Sequence, residues 1–291
     1  ESYPPIIPTS HDKARSCDKP LCEACLLGKQ QRRTPGSVVV KAKPKMEMAI
    51  RRNALKPGDC ISLDQFESSV RGRLPNTYGK ETSSAQLVGG TIAVDHASGF
   101  VFLRNQQTLR AGDTVRSLRE FEKEASRSGI SFKQFHADNF PFDSEEFKQH
   151  LSDRPGQSID QRFSGVGAHH QNGVVERAVK TISHLARSMM LHQLLHWPEA
   201  FDPKLWPFAM EHAVFLWNHM PKERDGLAPV ELFTGTKLFT YDALSRARVW
   251  GSPCYVLDPR LQDGKSLPKF KPRSRRGVYL GVPPRHSTTV G

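Results

Sequence analysis

The longest regular pattern in this sequence begins near Asn172 and predicts an amphipathic helix. Its apolar residues recur at three- and four-residue steps and form one stripe: Val175, Ala178, Val179, Ile182, Leu185, Ala186 and Met189. Its polar residues form a second stripe: Glu176, Lys180, Ser183 or His184, and Arg187. A helix of this kind is stable only when another apolar layer covers its stripe, so the rest of the chain must supply that layer.

The segments before this helix alternate between strand and helix patterns. Apolar or β-branched runs predict strands at Cys60–Phe66, Gln86–Val94, Gly99–Arg104 and Ile130–Phe135, the middle two forming a hairpin. Helical spacing predicts helices at Thr108–Ser128 and Pro203–His219. A shorter helix is predicted to begin at a cap, Asp143 or Ser144, and to run through His150. After Val249, short apolar runs at Cys254–Leu257 and Val278–Leu280 predict a small β-rich region. The pattern is therefore that of an α/β protein.

Positive charge is concentrated in two runs. The 291 residues carry 42 Lys and Arg against 30 Asp and Glu, a formal net charge of +12. The first run, within a Pro- and Gly-containing linker, includes Lys41, Lys43 and Lys45, and the second includes Arg273, Arg275 and Arg276. One such run by itself is typical of a solvated surface. Two runs that flank a central domain favour binding to the phosphates of nucleic acid.

Other features limit the class of protein. The apolar runs are too short for a membrane helix, and the first residues lack a secretion signal. We therefore expect a fragment or processed product of a longer polypeptide, without a membrane partner and not secreted. Cys60 and Cys254 stand alone and are expected to be reduced, buried thiols, whereas Cys17, Cys22 and Cys25 cluster.

Three carboxylates lie where a metal site could form. Asp64 is in the middle of a predicted strand, Asp138 follows the end of another, and Glu176 is in the first turn of the long helix. None of them is informative alone, and a single Asp at a strand end is more often a turn former or cap than a metal ligand. Together they could bind Mg²⁺ or Mn²⁺, which prefer oxygen ligands. Two such ions about 3.5–4 Å apart suit in-line phosphoryl transfer.

The order and context of these acids resemble a known family. The acids are Asp64, Asp138 and Glu176, with 37 residues between the last two and the segment His170-Gln-Asn-Gly-Val-Val-Glu176-Arg around the third. This arrangement resembles the D,D-E integrase core of Ty1/copia-type retrotransposons, which are relatives of retroviral integrases. Three flanking segments are similar in the same order: Cys22-Glu-Ala-Cys25-Leu-Leu-Gly-Lys29, Leu227-Ala-Pro-Val-Glu-Leu-Phe-Thr-Gly235 and Arg273-Ser-Arg-Arg-Gly-Val-Tyr-Leu-Gly281. The resemblance spans most of the chain, from about Cys22 to Gly281.

The resemblance implies a fold and a division of the chain. The fold would be RNase H-like, a five-stranded mixed sheet flanked by helices with the acidic triad at one sheet edge. Residues 1–35 would be the remnant of a His-His-Cys-Cys zinc module and residues 36–57 a basic linker. Residues 58–222 would be the catalytic core and residues 223–291 a small β-rich C-terminal domain.

The resemblance also implies an activity. Asp64, Asp138 and Glu176 would bind two Mg²⁺ or Mn²⁺ ions, and the 3′-hydroxyl of the element's DNA copy would attack target DNA without ATP. The implied partners are terminal and target DNA and further copies of the chain. Action would take place in the nucleus, after a stage in a cytoplasmic particle.

Several basic or amide residues are candidates for contacts with DNA. Those near the triad are Gln171, Asn172, Lys180 and Arg187, and those in the basic runs are Lys41, Lys43, Lys45, Arg273, Arg275 and Arg276. Alternatives remain for two of them. Lys180 could instead pair with Glu176 at i,i+4, and Asn172 could be an ordinary helix N-cap.

The sequence departs from the family at two places. Asn139 is followed by Phe140 where the family has Gly, so the turn behind Asp138 must differ, which leaves room for a decayed copy. Cys22 and Cys25 are half of a zinc site. The family's two histidines would lie upstream of Glu1, so zinc is expected only with that part present. His11 and Cys17 could complete four ligands by count, although their spacing does not match the family.

His169 and His170 are candidates for DNA contact or support of the site, although adjacent loop histidines are usually just exposed. Two other functional classes also compete with an integrase. One is a catalytically inactive nucleic-acid-binding remnant. The other is a nuclease of the wider RNase H-like group, against which the segments Cys22–Lys29 and Leu227–Gly235 argue.

Overall fold

The computed structural model describes residues 22–30, 55–75, 86–137, 141–153, 160–163, 172–222, 226–237 and 242–282. None of the helices in these ranges combines the length and apolarity that a bilayer crossing requires. The strands of the main sheet are β1 (Ile61–Gly72), β2 (Leu87–Asp95), β3 (Val101–Gln106), β4 (Gln134–Ala137) and β5 (Asp160–Phe163).

The sheet is mixed, with the strand order β3-β2-β1-β4-β5. β1, β2 and β3 form an antiparallel meander, and β4 and β5 run parallel to β1. This strand order, with helices on both faces, is the RNase H-like fold, as the resemblance implied. The predicted hairpin is confirmed at β2 and β3.

Two helical layers cover the sheet. On one face lie α2 (Ala111–Ser126) and α3 (Glu145–Ser152), and on the other lie α4 (Gly173–His196) and α5 (Trp206–His219). The α2 face packs an aromatic cluster in which Phe102, Phe121, Phe135 and Phe147 are fully or almost fully buried. On the α4 face, Val175, Ala178, Ile182 and Ala186 belong to one buried cluster with apolar residues of β2 and β3, so the predicted apolar stripe is confirmed.

The helix ends show how local sequence sets the boundaries. The Ser144 hydroxyl accepts a hydrogen bond from the backbone N–H of Phe147 and caps α3, as predicted. The predicted helix at 203–219 is divided, because Pro203–Leu205 is a 3₁₀ turn and α5 begins at Trp206. The predicted strand at 130–135 begins later, at Gln134, and runs to Ala137.

An asparagine side chain of α5 forms hydrogen bonds with the backbone of β3, at the edge of the sheet. Asn218 Nδ2 donates to the Val101 carbonyl at 2.7 Å, and Asn218 Oδ1 accepts from the Val101 N–H at 2.9 Å. Because β3 is an edge strand, these backbone groups would otherwise lack a strand partner. The side chain is buried, so the contact fixes α5 against the sheet.

The described part of the C-terminal region, residues 226–237 and 242–282, has only one two-stranded ribbon and three short helices. It contains α6 (Pro229–Thr234), α7 (Asp242–Ser245) and α8 (Pro259–Gln262), with a two-stranded ribbon of β6 (Pro253–Leu257) and β7 (Ser274–Val278). The predicted strand at Val278–Leu280 is therefore misplaced toward the C-terminus. Trp250 is 2% exposed and packs in the cluster beneath α4 and α5, so this region shares the core of residues 58–222. The predicted boundary at 222/223 stays a prediction.

A short N-terminal helix, α1 (Glu23–Lys29), packs on the outer side of α4. Its small residues Ala24 and Gly28 are buried at this contact. Gly28 is needed for the close approach, because a Cβ there would lie 2.5 Å from Ser188 Oγ.

Candidate active site and nucleic-acid surface

Asp64 lies on β1, the central strand of the sheet, and faces α4. Its neighbours Ile61 and Leu63 are buried in the α2 cluster, whereas Phe66, two residues after Asp64, packs in the α4 cluster. Because side chains alternate along a strand, Asp64 shares the face of Phe66. The carboxylate is half-buried, and its Oδ1 accepts a hydrogen bond from the N–H of Gln65 at 2.7 Å.

The register of β4 places the residue that precedes the second acid in the chain. Leu63 pairs with Ala137 in the parallel β1–β4 ladder, so Asp138 follows the residue beside Leu63. Asp138 itself lies outside the described residues. Phe135 and Ala137 face the α2 cluster.

Glu176 is placed by the start of α4. It is exposed in the first turn of that helix. Asn172, the residue before α4, donates from Nδ2 to the Leu63 carbonyl at 3.1 Å. This hydrogen bond joins the helix that carries Glu176 to the strand residue directly before Asp64.

Asp64 lies on the central strand of the sheet, and the convergence of the three acids on one site stays a prediction. β1 has two strands on each side. The start of α4 is joined to Leu63, the residue before Asp64, and β4 pairs with β1 as far as Ala137. Within the described ranges no three His, Cys, Asp or Glu side chains are grouped as a metal site, and Asp138 is outside those ranges.

The structure does not show the N-cap role of Asn172, and a contact of this residue with DNA stays a prediction. Its side chain makes no N-cap hydrogen bond, and the residue is only 2% exposed. Its Oδ1 is buried and has no hydrogen-bond partner in the part of the chain described. In this arrangement the side chain of Asn172 holds the start of α4, which carries Glu176, against β1.

A polar strip beside Asp64 was not predicted from the sequence. Ser62 Oγ is 2.7 Å from Nε2 of His96, and Ser62 is also the cross-strand neighbour of His136. Ser62 lies two residues before Asp64 and therefore shares its face. The only sequence signal was a serine in a strand with apolar neighbours on both sides, which is common in sheets without a function.

Asp95, the last residue of β2, is a buried carboxylate. Its Oδ2 accepts from the Ser98 backbone N–H at 2.7 Å and hydroxyl at 2.6 Å, and its Oδ1 accepts from Gly58 N–H at 2.8 Å. Burial raises the pKa of Asp95, and these hydrogen bonds oppose that shift. Because it pairs with Ile61 at the start of β1, it faces away from Asp64 and holds the β2–β3 turn.

Lys180 and Arg187 lie on the exposed side of α4, as predicted. The ion pairs among described residues do not include Glu176 with Lys180, so the i,i+4 alternative is not observed. Arg187 Nη1 lies 3.5 Å from the Gly28 carbonyl of α1.

The arginines of the second basic run are exposed on or beside β7. Arg275 pairs with Asp258 at 3.3 Å, and Arg276 pairs with Glu199 at 2.8 Å. Hydrogen bonds from Arg260, with a further contribution from Arg275, lower the pKa of Asp258 to about 2. Since both arginine side chains are more than half exposed, these pairs can exchange with phosphate.

The cysteines of the predicted zinc remnant lie together at the start of α1. Cys22 and Cys25 are reduced, and burial together with a hydrogen bond from Cys22 raises the pKa of Cys25. Cys60 and Cys254 are also reduced but half-buried, so the expectation of full burial was wrong. Zinc binding by Cys22 and Cys25 stays a prediction.

Other predicted residues lie outside the described part of the chain. They are His11, Cys17, Lys41, Lys43, Lys45, Asp138, Asn139, Phe140, His169, His170 and Gln171.

Comparison with known proteins gives structural likenesses only. No family model matches the sequence, and no curated protein matches it. The magnesium-bound catalytic core of HTLV-2 integrase, in its trimeric form, is 20% identical with a TM-score of 0.42, covering 62% of this chain and 98% of that one. Its dimeric form is 20% identical with a TM-score of 0.41 and the same coverage.

A simian T-cell lymphotropic virus intasome bound to the PP2A regulatory subunit B56 gamma is 16% identical with a TM-score of 0.46. The match covers 77% of this chain and 68% of that one. At these values of identity and TM-score, assignment of the RNase H-like class depends on the strand order and register of this chain itself.

Proposed function

We propose that this protein is a metal-dependent polynucleotidyl transferase that inserts a DNA copy of a mobile element into target DNA. The observation that carries the proposal is the link between Asn172 and Leu63, which brings the helix of Glu176 to the strand of Asp64. The parallel register of β4 supports the inclusion of Asp138. The collinear motifs of a Ty1/copia-type integrase support the type of element.

The carboxylates of Asp64, Asp138 and Glu176 would hold two Mg²⁺ or Mn²⁺ ions, a donor set that suits these hard cations. When bound, such ions polarise the reacting phosphate and stabilise the attacking and leaving oxygens. Asn172 Oδ1, at the start of α4, is buried and has no partner among the described residues, so it is a further acceptor in this part of the molecule.

The protein's own part in the reaction is positioning. The terminal 3′-hydroxyl of the element DNA forms a new bond to a target phosphorus, and the target's own P–O bond to its 3′-oxygen breaks. One phosphodiester replaces another, so neither ATP nor a covalent protein intermediate is required. Lys180 and Arg187 lie on the α4 face that begins at Glu176, where their charges would hold the sugar–phosphate backbone.

Several finer assignments belong to the same proposal. The complete protein would act as a homo-oligomer, because two DNA ends must be inserted together. It would act in the nucleus after assembly in a cytoplasmic particle. Cys22 and Cys25 would bind Zn²⁺ when a histidine pair precedes them in a longer chain.

The test is strand transfer with a pre-cleaved terminal duplex and plasmid DNA in Mn²⁺ or Mg²⁺, using the chain extended upstream of Glu1. We expect Asp64→Asn, Asp138→Asn and Glu176→Gln each to abolish joining, while retention of DNA across a salt gradient changes little. Asp263→Asn is the matched control, because this exposed acid lies beyond the ribbon strand β6. Joining by any of the three triad variants at the wild-type rate would refute the proposal.

The alternative is an inactive DNA-binding remnant. Phe140 after Asn139 favours it, because the turn behind Asp138 then departs from the family. Wild type and all three triad variants would in that case be equally inactive and would bind DNA alike.

A further inference from the structure

The exposed side of α4 carries several basic residues and, after Glu176, no acidic residue. No acid occurs from Arg177 to Pro198. Four of the basic residues, Arg177, Lys180, His184 and Arg187, follow at steps of three and four and therefore share one face of the helix. We call these four residues the basic stripe. It begins beside Glu176 and continues away from the candidate active site.

The N-terminal helix α1 adds a further cation to the basic stripe. Gly28 packs on Ser188, and the Gly28 carbonyl lies 3.5 Å from Arg187 Nη1. Lys29, the next residue, is exposed at the end of α1. Ser188 Oγ donates to the carbonyl of His184, so α1 is docked within one helical turn of the middle of the stripe.

The surroundings of His184 are consistent with the position of Lys29 beside the stripe. Burial lowers the pKa of His184, and the positive charges of Arg187, Lys180 and Lys29 lower it further. Like charges that gather from two separate helices repel one another, and no acid of α4 after Glu176 compensates them. Such an arrangement favours an anionic partner.

We propose that docked α1 and α4 form one composite surface for the phosphate backbone of DNA, to which Lys29 contributes alongside Lys180 and Arg187. This inference rests on the proposed function and adds that the N-terminal segment belongs to the DNA surface of the core. From Lys180 to Arg187 the stripe is about 10 Å long at 1.5 Å per residue. A duplex presents one charge per about 1.7 Å, so it matches an extended row of cations better than a small anion does.

The first test measures binding of the 291-residue chain to a fluorescent duplex at several salt concentrations. We expect Lys29→Gln to reduce the slope of log K against log salt by about one, as for one lost phosphate contact. Lys123→Gln is the matched control, because Lys123 is also an exposed lysine in the last turn of a helix, on the opposite face of the sheet. It should leave the slope unchanged.

The second test separates docking of α1 from the charge of Lys29. Gly28→Ala favours helix formation intrinsically, but its Cβ would meet Ser188 Oγ at 2.5 Å and Ser188 Cα at 3.0 Å. We expect it to lower the salt slope as much as Lys29→Gln does, with an unchanged melting temperature of the core. Adding Ser188→Ala removes the Oγ and should restore part of the slope.

The outcomes distinguish this inference from the proposed function. If Lys180→Gln and Arg187→Gln weaken binding but Lys29→Gln behaves like Lys123→Gln, the composite surface is wrong and the DNA surface of α4 stands. If Gly28→Ala binds like wild type while Lys29→Gln does not, docking is not required and the inference fails. If wild type shows no salt-dependent binding to the duplex, both proposals fail. If millimolar inorganic phosphate displaces the fluorescent duplex as well as unlabelled duplex does, the surface is a small-anion site and the inference is also overturned.

Discussion

Asn172 Nδ2 donates to the backbone carbonyl of Leu63 at 3.1 Å and so joins the residue before α4 to the residue before Asp64. The two residues are 109 positions apart in the chain. Because both are buried, this hydrogen bond is protected from water and fixes the offset between Asp64 and Glu176.

This contact predicts that Asn172→Ala impairs strand transfer more than it impairs folding. We expect a loss of about 1–3 kcal/mol in the free energy of unfolding, because the Leu63 carbonyl loses its buried donor. Asn218→Ala is the matched control, since it removes a similar buried amide from the Val101 backbone, far from the acids. At a temperature where both variants are folded, only Asn172→Ala should lose joining activity by tenfold or more. Equal rates for the two variants would contradict the positioning role.

The ion pair between Glu199 and Arg276 predicts an effect on DNA binding with little effect on stability. Both side chains are more than half exposed, so Glu199→Gln should change the free energy of unfolding by less than about 1 kcal/mol. Removal of the acid releases Arg276 for phosphate, and we expect tighter binding to duplex DNA at low salt. Glu145→Gln, which breaks the exposed pair with Lys148 on α3, is the control. Unchanged affinity in Glu199→Gln would exclude Arg276 from the DNA surface.

His212 predicts a pH dependence of stability. It is 3% exposed, its Nδ1 has no partner among described residues, and burial lowers its pKa to about 4. The unfolded chain, with an ordinary histidine pKa near 6.5, binds the proton more readily, so stability is full above that value and declines as pH falls toward 4. The difference amounts to roughly 3 kcal/mol. Urea unfolding at pH 7.5 and pH 4.5 should show this loss in wild type and a smaller loss in His212→Leu.

Trp250 predicts that the C-terminal region and the core unfold together. Its side chain is 2% exposed in the cluster beneath α4 and α5, and its Nε1 donates to the Leu280 carbonyl at 3.2 Å. Trp250→Ala should therefore destabilise the core by about 3–5 kcal/mol. Tyr255→Ala, at a site 76% exposed on the ribbon, should be nearly neutral. A Trp250→Ala core that melts like wild type would instead indicate an independent domain at residues 223–291.

The elements with strong local signals were predicted well. The apolar stripe of α4, the β2–β3 hairpin and the Ser144 cap each depend on spacing or on a neighbour within a few residues, which a sequence displays directly. β5 was not predicted, because Asp160-Gln-Arg-Phe163 has no alternating apolar pattern. It is a strand because β4 offers it a hydrogen-bonding edge.

By itself, the sequence determined which chemical groups are available: acids at positions 64, 138 and 176, two basic runs, and a helix with one apolar face. Those properties follow from residue type and local periodicity. Only the tertiary structure decided that Asn172 is a buried link between Asp64 and Glu176 and that Gly28 seats α1 on the basic stripe. Contacts between residues more than a hundred positions apart depend on how the layers pack, and packing leaves no periodic mark in the chain.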